Sequence, residues 1–247
     1  MTAETQIELS IIIPAYNEEL RLPKTLNRIH AHLDKHRISS EVIVVDDGSR
    51  DGTVQFVEAQ SAAWPALRLL KNPGNRGKGY SVRHGMLEAR GNVVLFSDAD
   101  LSAPIEEADK LLAALATHDV AIGSRAMDRR LIEVHQSWAR EWAGIIFNGV
   151  VRVVLGLNIE DTQCGFKAFH RERSRIIFQQ QRIERFGFDP ELLFLAKRNG
   201  LTVAEVPVRW SNDPGTHLSL WDGVRAMFFE VAAVRWNALI GRYPRRK

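Results

Sequence analysis

The stretch Val93-Val94-Leu95-Phe96-Ser97-Asp98-Ala99-Asp100-Leu101-Ser102 decides the fold. Its first four residues are apolar, as in a strand that is buried on both faces of a parallel sheet. Asp98 and Asp100 follow that strand, at the end where open α/β sheets bind their ligands. Such a carboxylate pair suits a hard divalent cation that is shared with substrate phosphates. The alternative is an ordinary turn, because Asp and Ser are common in loops and Pro104 follows closely.

The first half of the chain alternates apolar strands with amphipathic helices. Besides the strand before Asp98, apolar runs predict strands over residues 9–13, 41–45, 67–70 and 120–122. Helices are predicted between them, over residues 20–36, from residue 51, over 80–89 and over 104–116. This alternation favours an α/β fold with a mostly parallel, doubly wound sheet and helices on both faces.

After Arg125 the pattern changes to longer helices and fewer strands. We expect a long helix with an apolar stripe from Trp138 to Leu157, strands over 166–169 and 201–208, and helices over 191–199 and 220–240. The last helix is apolar on two faces. Val231 and Val234 belong to a row of apolar residues spaced alternately four and three apart, and Phe229 and Trp236 lie on another face. Core packing accounts for one face, and either a membrane interface or a homodimer accounts for the other.

Composition narrows the class of protein. The chain has 247 residues, of which 45% are hydrophobic, and a net charge of +3, without a basic stripe interleaved with aromatics that would indicate nucleic acid. A single cysteine, Cys164, excludes an internal disulfide and fits a reducing compartment.

No run reaches the roughly 18 apolar residues of a spanning helix. The basic tail, residues 242–247, suits an anionic membrane or is simply solvated. We therefore expect a cytoplasmic protein, peripheral at the inner face of the membrane.

Three segments carry a resemblance to a known family. They are Ile-Ile-Ile-Pro-Ala-Tyr-Asn-Glu-Glu at residues 11–19, Val-Val-Asp-Asp-Gly-Ser-Arg-Asp-Gly-Thr at residues 44–53, and Asp98-Ala99-Asp100. Together they resemble the inverting family 2 glycosyltransferases, whose nucleotide-sugar fold is called GT-A. The Gly-x-Gly-x-x-Gly of dinucleotide-binding folds is missing after the first strand. The resemblance implies one GT-A domain, with residues 1–125 as its nucleotide-sugar-binding half and residues 126–247 as its acceptor-binding half.

The resemblance implies roles for four residues near the nucleotide base. A base needs an aromatic or apolar wall and a few fixed polar partners. Pro14 and Tyr16 are expected to form the wall, with Glu18 and Asp47 as the polar partners. The alternatives are that Tyr16 simply packs against its neighbours and that Glu18 stabilises the start of a helix.

The diphosphate and the metal complete the implied donor site. Arg76 and Lys78 lie in a glycine-rich loop, residues 72–79, where backbone and cations can approach a phosphate closely, although a solvated basic loop has the same composition. By the family pattern Asp98 and Asp100 bind Mg²⁺ or Mn²⁺. Asp98 is expected to contact the ribose too, and Asp100 to be the firmer metal ligand.

The second half narrows the resemblance. Residues 161–169, 184–193 and 205–210 are similar to the corresponding segments of dolichyl-phosphate β-glucosyltransferases. The related dolichyl-phosphate mannose synthases have the next most similar pattern. The similarity implies inverting transfer of glucose from UDP-glucose to a polyprenyl (dolichyl or undecaprenyl) phosphate. Members of these groups carry a membrane anchor or spanning helices, which this sequence does not show, so we expect either peripheral membrane contact through amphipathic helices or an acceptor that is not a lipid. There are three alternatives. The donor is GDP-mannose, the acceptor is a hydroxyl group, or the protein is a nucleotide-sugar sensor without activity.

Five residues are implied on the acceptor side. Arg125 is expected to meet the lipid phosphate, because its planar fork binds phosphate bidentately. Arg140, Gln163 and Lys167 are further acceptor-binding candidates. Asp189 is expected to act in catalysis, as a base for a hydroxyl acceptor or by orienting the sugar or Lys167.

Overall fold

The computed structural model of the protein describes residues 6–135, 137–212 and 220–244, and the side chains of all of these except 139, 140 and 220–225. Its strands are β1 Leu9–Ala15, β2 Ser40–Asp46, β3 Leu67–Lys71, β4 Val93–Ser97, β5 Val120–Ser124, β6 Ile132–Val134, β7 Phe166–His170, β8 Val203–Pro207 and β9 Trp210–Ser211. Its α-helices are α1 Leu22–His36, α2 Thr53–Ala63, α3 Lys78–Glu88, α4 Ala108–Ala114, α5 Trp138–Leu155, α6 Arg171–Gln180, α7 Phe188–Arg198 and α8 Leu220–Leu239.

Seven strands form one sheet in the order β3-β2-β1-β4-β7-β5-β8. All neighbours pair in parallel except at β7, which runs antiparallel to both β4 and β5. The prediction of a mostly parallel sheet is confirmed. The strand that joins β4 to β5 comes from the second half of the sequence, so both halves share one sheet.

The sheet separates two apolar cores. Ile11 and Ile13 of β1 face the core beneath α1, α2 and α4, whereas Ile12 faces the core beneath α3 and α5 to α8. Neighbouring residues of a strand point to opposite faces, and each face is covered by helices, which is why the strands are apolar throughout. Helices therefore lie on both faces, as predicted.

Register brings the carboxyl ends of three strands to one edge. Ala15 of β1 pairs with Asp46 of β2, and Ile12 of β1 pairs with Phe96 of β4. The chain turns sharply after two of these strands, since Asn17 and Leu101 have φ angles of 57° and 48° in the left-handed region. The sequence motifs at these strand ends are therefore close together.

Two helices differ from the sequence expectation. Residues 171–180 form α6, although charged residues fill most of its first five positions, because Ile177 and Phe178 give it a buried face. On α5 the side chains of Phe147 and Val151 are buried, whereas most of the predicted apolar stripe is exposed. Along the ranges that the structure describes, no helix is long and apolar enough to cross a membrane.

The end of α8 is tied to the core by Tyr243. Its buried hydroxyl donates to Glu191 Oε1 at 2.6 Å, and Arg198 Nε donates to the Tyr243 carbonyl at 2.8 Å. Glu191 is buried in α7, where it also accepts from the backbone N–H groups of Arg182 and Ile183, both at 2.9 Å. Residues 245–247 of the basic tail lie outside the described residues.

Tyr243→Phe is expected to lower the free energy of unfolding by about 1–2 kcal/mol, because Glu191 Oε1 is buried and loses one of its two donors, keeping only the Arg182 N–H. For a chain of this length the melting temperature should fall by several degrees. Urea denaturation and calorimetry measure both quantities. Tyr16→Phe is the matched control, because that ring is exposed. Equal effects of the two substitutions would contradict the role given to the Tyr243 hydroxyl.

Candidate active site

Asp98 and Asp100 lie just beyond β4, beside the first residue of α3. Lys78 Nζ is 2.5 Å from Asp98 Oδ1, and Asp100 Oδ1 accepts the Ser102 N–H at 2.9 Å. The two carboxylates are partly enclosed, and Lys78 reaches them because α3 begins at the same edge of the sheet. Lys78, which the sequence predicts at the diphosphate, therefore lies against the carboxylates that it predicts at the metal.

The electrostatics at this edge suit the binding of a cation. Burial, and then repulsion from Asp98, raises the pKa of the Asp100 carboxyl. Burial acts to lower the pKa of Lys78, but the charges of Asp98, Asp189 and Asp100 outweigh it and raise that pKa. Oxygen ligands with surplus negative charge are what Mg²⁺ and Mn²⁺ prefer, so Asp98 and Asp100 fit a divalent metal.

Gly165 lies directly against Asp98. The Asp98 N–H donates to the Gly165 carbonyl at 3.2 Å. A Cβ atom placed on Gly165 would be 2.2 Å from Asp98 Oδ2 and 2.5 Å from its Oδ1. A side chain at this position would displace the Asp98 carboxylate, so the glycine in the turn before β7 leaves that carboxylate its place.

Asp47 organises the glycine-rich loop. It is buried, and its two oxygens accept the N–H groups of Arg76 at 2.9 Å and Gly77 at 2.7 Å, and the side-chain amide of Asn72 at 2.8 Å. Gly48 follows Asp47 with φ 80°, and a Cβ there would be 2.9 Å from the Gly74 carbonyl carbon. Asp47 therefore holds the loop that carries Lys78.

Arg76 points across this loop to the segment before α7. Its guanidinium pairs with Glu184 at 2.6 Å and lies 4.7 Å from the centre of the Tyr80 ring. Both members of the ion pair are substantially exposed, so water screens the interaction. The structure thus places Arg76 at the rim of the site, with Lys78 nearer to the acidic pair.

The residues predicted at the base lie at and beyond the end of β1. Pro14 is within β1, and Tyr16 follows it with an exposed ring. Glu18 pairs with Arg21 Nε at 2.6 Å, and its backbone N–H donates to Thr53 Oγ1 at 2.8 Å. The three residues share the edge of the sheet that carries Asp98.

Lys167 and Asp189 form a buried ion pair beneath the site. Lys167 Nζ donates to the Asp189 carboxylate and to the Cys164 carbonyl, the latter at 2.6 Å, and lies 5.4 Å from the centre of the Phe96 ring. Burial acts to raise the pKa of Asp189, and Lys167 and Lys78 oppose that effect. Asp189 lies in the first turn of α7 rather than capping it.

Arg125 follows β5 and is paired with Asp161. The Asp161 carboxylate accepts from Arg125 Nε at 2.7 Å, from Nη2 at 2.9 Å and from its backbone N–H at 3.0 Å. The guanidinium also lies 5.3 Å from the centre of the Trp210 ring. Because this fork is fixed on two sides, Arg125 presents its remaining N–H groups in one direction.

A cavity of about 420 Å³ opens beside Arg125, between α5 and the loop that contains Asp161. Its lining includes three arginines and three acidic residues, Arg125, Arg129, Arg152, Glu141, Glu160 and Asp161, and its apolar walls include Ile145 and Trp210. Gln163 lines the same cavity, and its side-chain amide lies 3.1 Å from Met227 Sδ of α8. Because Arg125 is paired with Asp161 and Arg129 with Glu141, an anion that carries a hydrocarbon chain would be bound by the arginine N–H groups that these pairs leave over and by the apolar side.

Besides the residues predicted at the base and in the glycine-rich loop, the predicted site residues fall into three groups. Asp98, Asp100 and Lys78 meet at the edge, Lys167 and Asp189 pair beneath it, and Arg125 and Gln163 line the cavity. The Arg140 side chain lies outside the described residues. Burial raises the pKa of the Cys164 thiol to about 12, in keeping with a packed, unreactive residue.

Asp161 has a role that the sequence reasoning missed, although the Asp161-Thr162-Gln163 turn was noted as a motif. Its burial acts to raise the pKa, but the charge and hydrogen bonds of Arg125 outweigh this and hold it at about 2. Because the folded pKa is below the unfolded value, the pair stabilises the protein above about pH 4, and this stabilisation is lost as the pH falls toward 2.

Asp161→Asn is therefore expected to reduce the free energy of unfolding at pH 7 by about 2 kcal/mol. The difference from the natural protein should shrink as the pH is lowered from 5 to 3, which urea denaturation at several pH values measures. Asp128→Asn is the matched control, because Asp128 makes a similar paired contact with Arg130 on the exposed surface. A penalty that stays constant with pH would contradict the pairing.

The family model for glycosyl transferase family 2 matches residues 10–176, which include Asp98, Asp100, Arg125 and Gly165. The chain belongs to this family. The match extends over β1 to β7, and so covers the strand ends that form the site.

Curated relatives with glucosyltransferase names match most of the chain. A dolichyl-phosphate β-glucosyltransferase of Drosophila melanogaster is 41% identical over 227 residues, 86% of this chain and 70% of the relative. One from Trichomonas vaginalis is 36% identical over 227 residues, 87% of this chain and 69% of the relative. The human enzyme of that name is 35% identical over 225 residues, 85% of this chain and 69% of the relative.

Solved structures support the GT-A fold. Glucosyl-3-phosphoglycerate synthase from Mycobacterium tuberculosis, in complex with Mg²⁺ and UDP, matches with a TM-score of 0.66 and 21% identity, over 97% of this chain and 80% of that one. The same synthase in complex with Mn²⁺, UDP-glucose and phosphoglyceric acid matches with a TM-score of 0.64 and 20% identity, over 97% of this chain and 81% of that one. At this identity the likeness establishes the fold, which confirms the GT-A prediction.

Proposed function

We propose that the protein transfers glucose from UDP-glucose to a polyprenyl phosphate, with inversion at the anomeric carbon. The observation that carries the proposal is the position of the arginine-lined cavity next to the acidic pair. Gln163 lines the cavity, and Gly165, which touches Asp98, is two residues away, so their Cα atoms are at most about 7 Å apart. The names and coverage of the curated relatives support the same donor sugar and acceptor class.

The donor half of the site is built around Asp98, Asp100 and Lys78. Pro14, Tyr16 and Glu18 form the proposed base pocket at the end of β1, and Asp47 holds the loop at the diphosphate. Asp98 and Asp100 are the proposed ligands of Mg²⁺ or Mn²⁺, which supplies positive charge to the departing UDP when bound. Lys78 and, from the rim, Arg76 add fixed cations for the same leaving group.

The acceptor half is the arginine-lined cavity. Arg125 is fixed by Asp161, so the guanidinium can orient an incoming phosphate without reorganisation. Arg152 reduces the repulsion between the acceptor phosphate and the donor diphosphate, whereas the charge of Arg129 is partly compensated by its pair with Glu141. Ile145 and Trp210 offer apolar contact for the first part of the lipid.

A phosphate acceptor makes a protein base unnecessary. Its second pKa is about 6, so an oxygen is ionised at neutral pH and attacks the anomeric carbon as the bond to UDP breaks. Asp189 is paired with Lys167 and buried, which supports an orienting role over proton transfer. Residues 1–125 supply most of the donor site and residues 126–247 most of the acceptor site in this proposal.

Transfer of radiolabel from UDP-glucose to polyprenyl phosphate tests the proposal. Label should enter the organic phase only when Mg²⁺ or Mn²⁺ is present, and the lipid product should be a β-glucoside. Label from GDP-mannose in its place would identify a mannose synthase. Label only in sugar or protein hydroxyl acceptors would refute the lipid acceptor, and tight UDP-glucose binding without turnover would indicate a sensor.

We further propose that exposed apolar faces of α5 and α8 lie on the inner face of the membrane. Trp138 and Trp142 precede Ile145, the cavity residue, at helical spacing on α5, and all three are exposed. Phe229 and Trp236 are exposed on α8, which packs against α5. The membrane contact would therefore adjoin the cavity mouth, where a lipid acceptor has to enter.

Flotation with anionic liposomes tests the membrane contact. The double variant Trp142→Ser with Trp236→Ser is expected to reduce the floated fraction several-fold without changing turnover of a short water-soluble acceptor. Leu20→Ser, an exposed apolar residue before α1, is the control. Unchanged flotation together with a monomer-dimer equilibrium that the double variant abolishes would assign these faces to a homodimer.

A further inference from the structure

Three metal-binding side chains that the proposed reaction does not use meet between α1 and α4. They are His32, His36 and Asp109, and one ligand atom from each lies within 4.8 Å of the others. The two imidazole rings are on one face of α1, four residues apart, with centroids 4.5 Å apart. Asp109 approaches from the first turn of α4, with Oδ1 3.6 Å from His32 Nε2.

The burial of His32 is a second, independent indication of a binding site. Its side chain is only 4% exposed, and Nε2 has no hydrogen-bond partner among the described residues. Enclosed polar nitrogens are almost always bonded, so an unpartnered one that faces two other ligand atoms requires an explanation.

The chemistry of the three groups selects the ion. Two imidazole nitrogens and one carboxylate are ligands for borderline transition metals, whereas Mg²⁺ and Ca²⁺ prefer oxygen alone. In a tetrahedral zinc site, ligands 2.0–2.2 Å from the metal are about 3.3–3.5 Å apart. The 3.6 Å between His32 Nε2 and Asp109 Oδ1 is close to that separation.

We propose that His32, His36 and Asp109 bind one Zn²⁺ ion, with water as the fourth ligand. His36 and Asp109 are exposed, which leaves room for the water and gives the ion a path from solvent. The site is separate from the acidic pair. Thr25 of α1 bonds the Ala99 carbonyl at 2.5 Å, and His32 lies seven residues further along the helix, about 10 Å away.

Zinc at this position would link α1 to α4. The segment between Asp100 and Asp109 connects the acidic pair to α4, so fixing α4 would restrain the far end of that segment. The ion is therefore expected to stabilise the fold around the donor site without contacting the reacting atoms.

Zinc titration of the full-length chain without a histidine tag tests the proposal. Calorimetry in excess Mg²⁺ and UDP, which occupy the acidic pair, should detect one Zn²⁺ per chain, and Co²⁺ in its place should give the intense visible absorption of tetrahedral coordination. His36→Gln and Asp109→Asn should each weaken Zn²⁺ binding at least about tenfold. His30→Gln, an exposed histidine on the same helix, is the matched control and should bind like the natural protein.

The Asp100→Asn background separates this site from the proposed catalytic metal. Zinc binding that persists there but is weakened by His36→Gln supports the proposal. Binding that disappears with Asp100→Asn, binding unchanged by His36→Gln and Asp109→Asn, or an equal loss with His30→Gln would each overturn it.

Discussion

Asp100→Asn is expected to lower kcat/KM for glucosyl transfer by about three orders of magnitude. A metal at a leaving group stabilises the transition state by several kcal/mol, and each 1.36 kcal/mol corresponds to tenfold in rate. The same substitution is not expected to lower the stability of the fold. Because burial and Asp98 both disfavour the Asp100 charge, its removal is expected to leave the melting temperature unchanged or raise it.

Two measurements separate these effects. Initial rates with radiolabelled UDP-glucose give kcat/KM, and thermal unfolding with and without UDP and Mn²⁺ gives the metal-dependent part of nucleotide binding. Asp34→Asn, an exposed carboxylate on α1, is the control and should change neither quantity. An Asp100→Asn enzyme that retains more than a tenth of the natural rate would contradict the metal role.

Gly165→Ala is expected to reduce kcat/KM by about a hundredfold. The added methyl would be 2.2 Å from Asp98 Oδ2, so either the carboxylate or the turn before β7 has to move. A displacement of about 1 Å at a reacting centre is enough for a loss of that size. Steady-state kinetics measures the loss, and circular dichroism checks that the fold is retained.

A double-mutant cycle gives the control for Gly165. In the Asp98→Ala background the methyl group has no carboxylate to displace, so Gly165→Ala should cause little further loss of activity. Losses that simply multiply in the double variant would show that Gly165 acts through the backbone and not through Asp98.

The sequence predicts the parts of this structure that depend on local pattern. Buried strands read as apolar runs, and carboxylates directly after a strand lie at the ligand-binding edge, so the position of Asp98 and Asp100 follows from a short segment. The family resemblance adds the nucleotide-sugar fold, which the match over residues 10–176 confirms.

Contacts between distant segments were beyond the sequence reasoning. The pairing of Arg125 with Asp161, and the contact of Gly165 with Asp98, exist because β7 is inserted beside β4 and β5, and no periodicity encodes that order. The helix α6 was missed for a different reason. Charged residues dominate its first turns, and its buried face depends on Ile177 and Phe178 near its end.

The antiparallel position of β7 also constrains how the chain is assembled during synthesis. When the nascent chain has emerged from the ribosome as far as Ser124, β4 and β5 are outside, but the strand that hydrogen-bonds to both is not. Until His170 emerges, β5 has no neighbour on that side, and β4 is left as an open edge that other chains can pair with. Nascent chains are therefore most exposed to aggregation in this interval, and protection of β5 in chains stalled when Ser124 has just emerged would contradict this order of events.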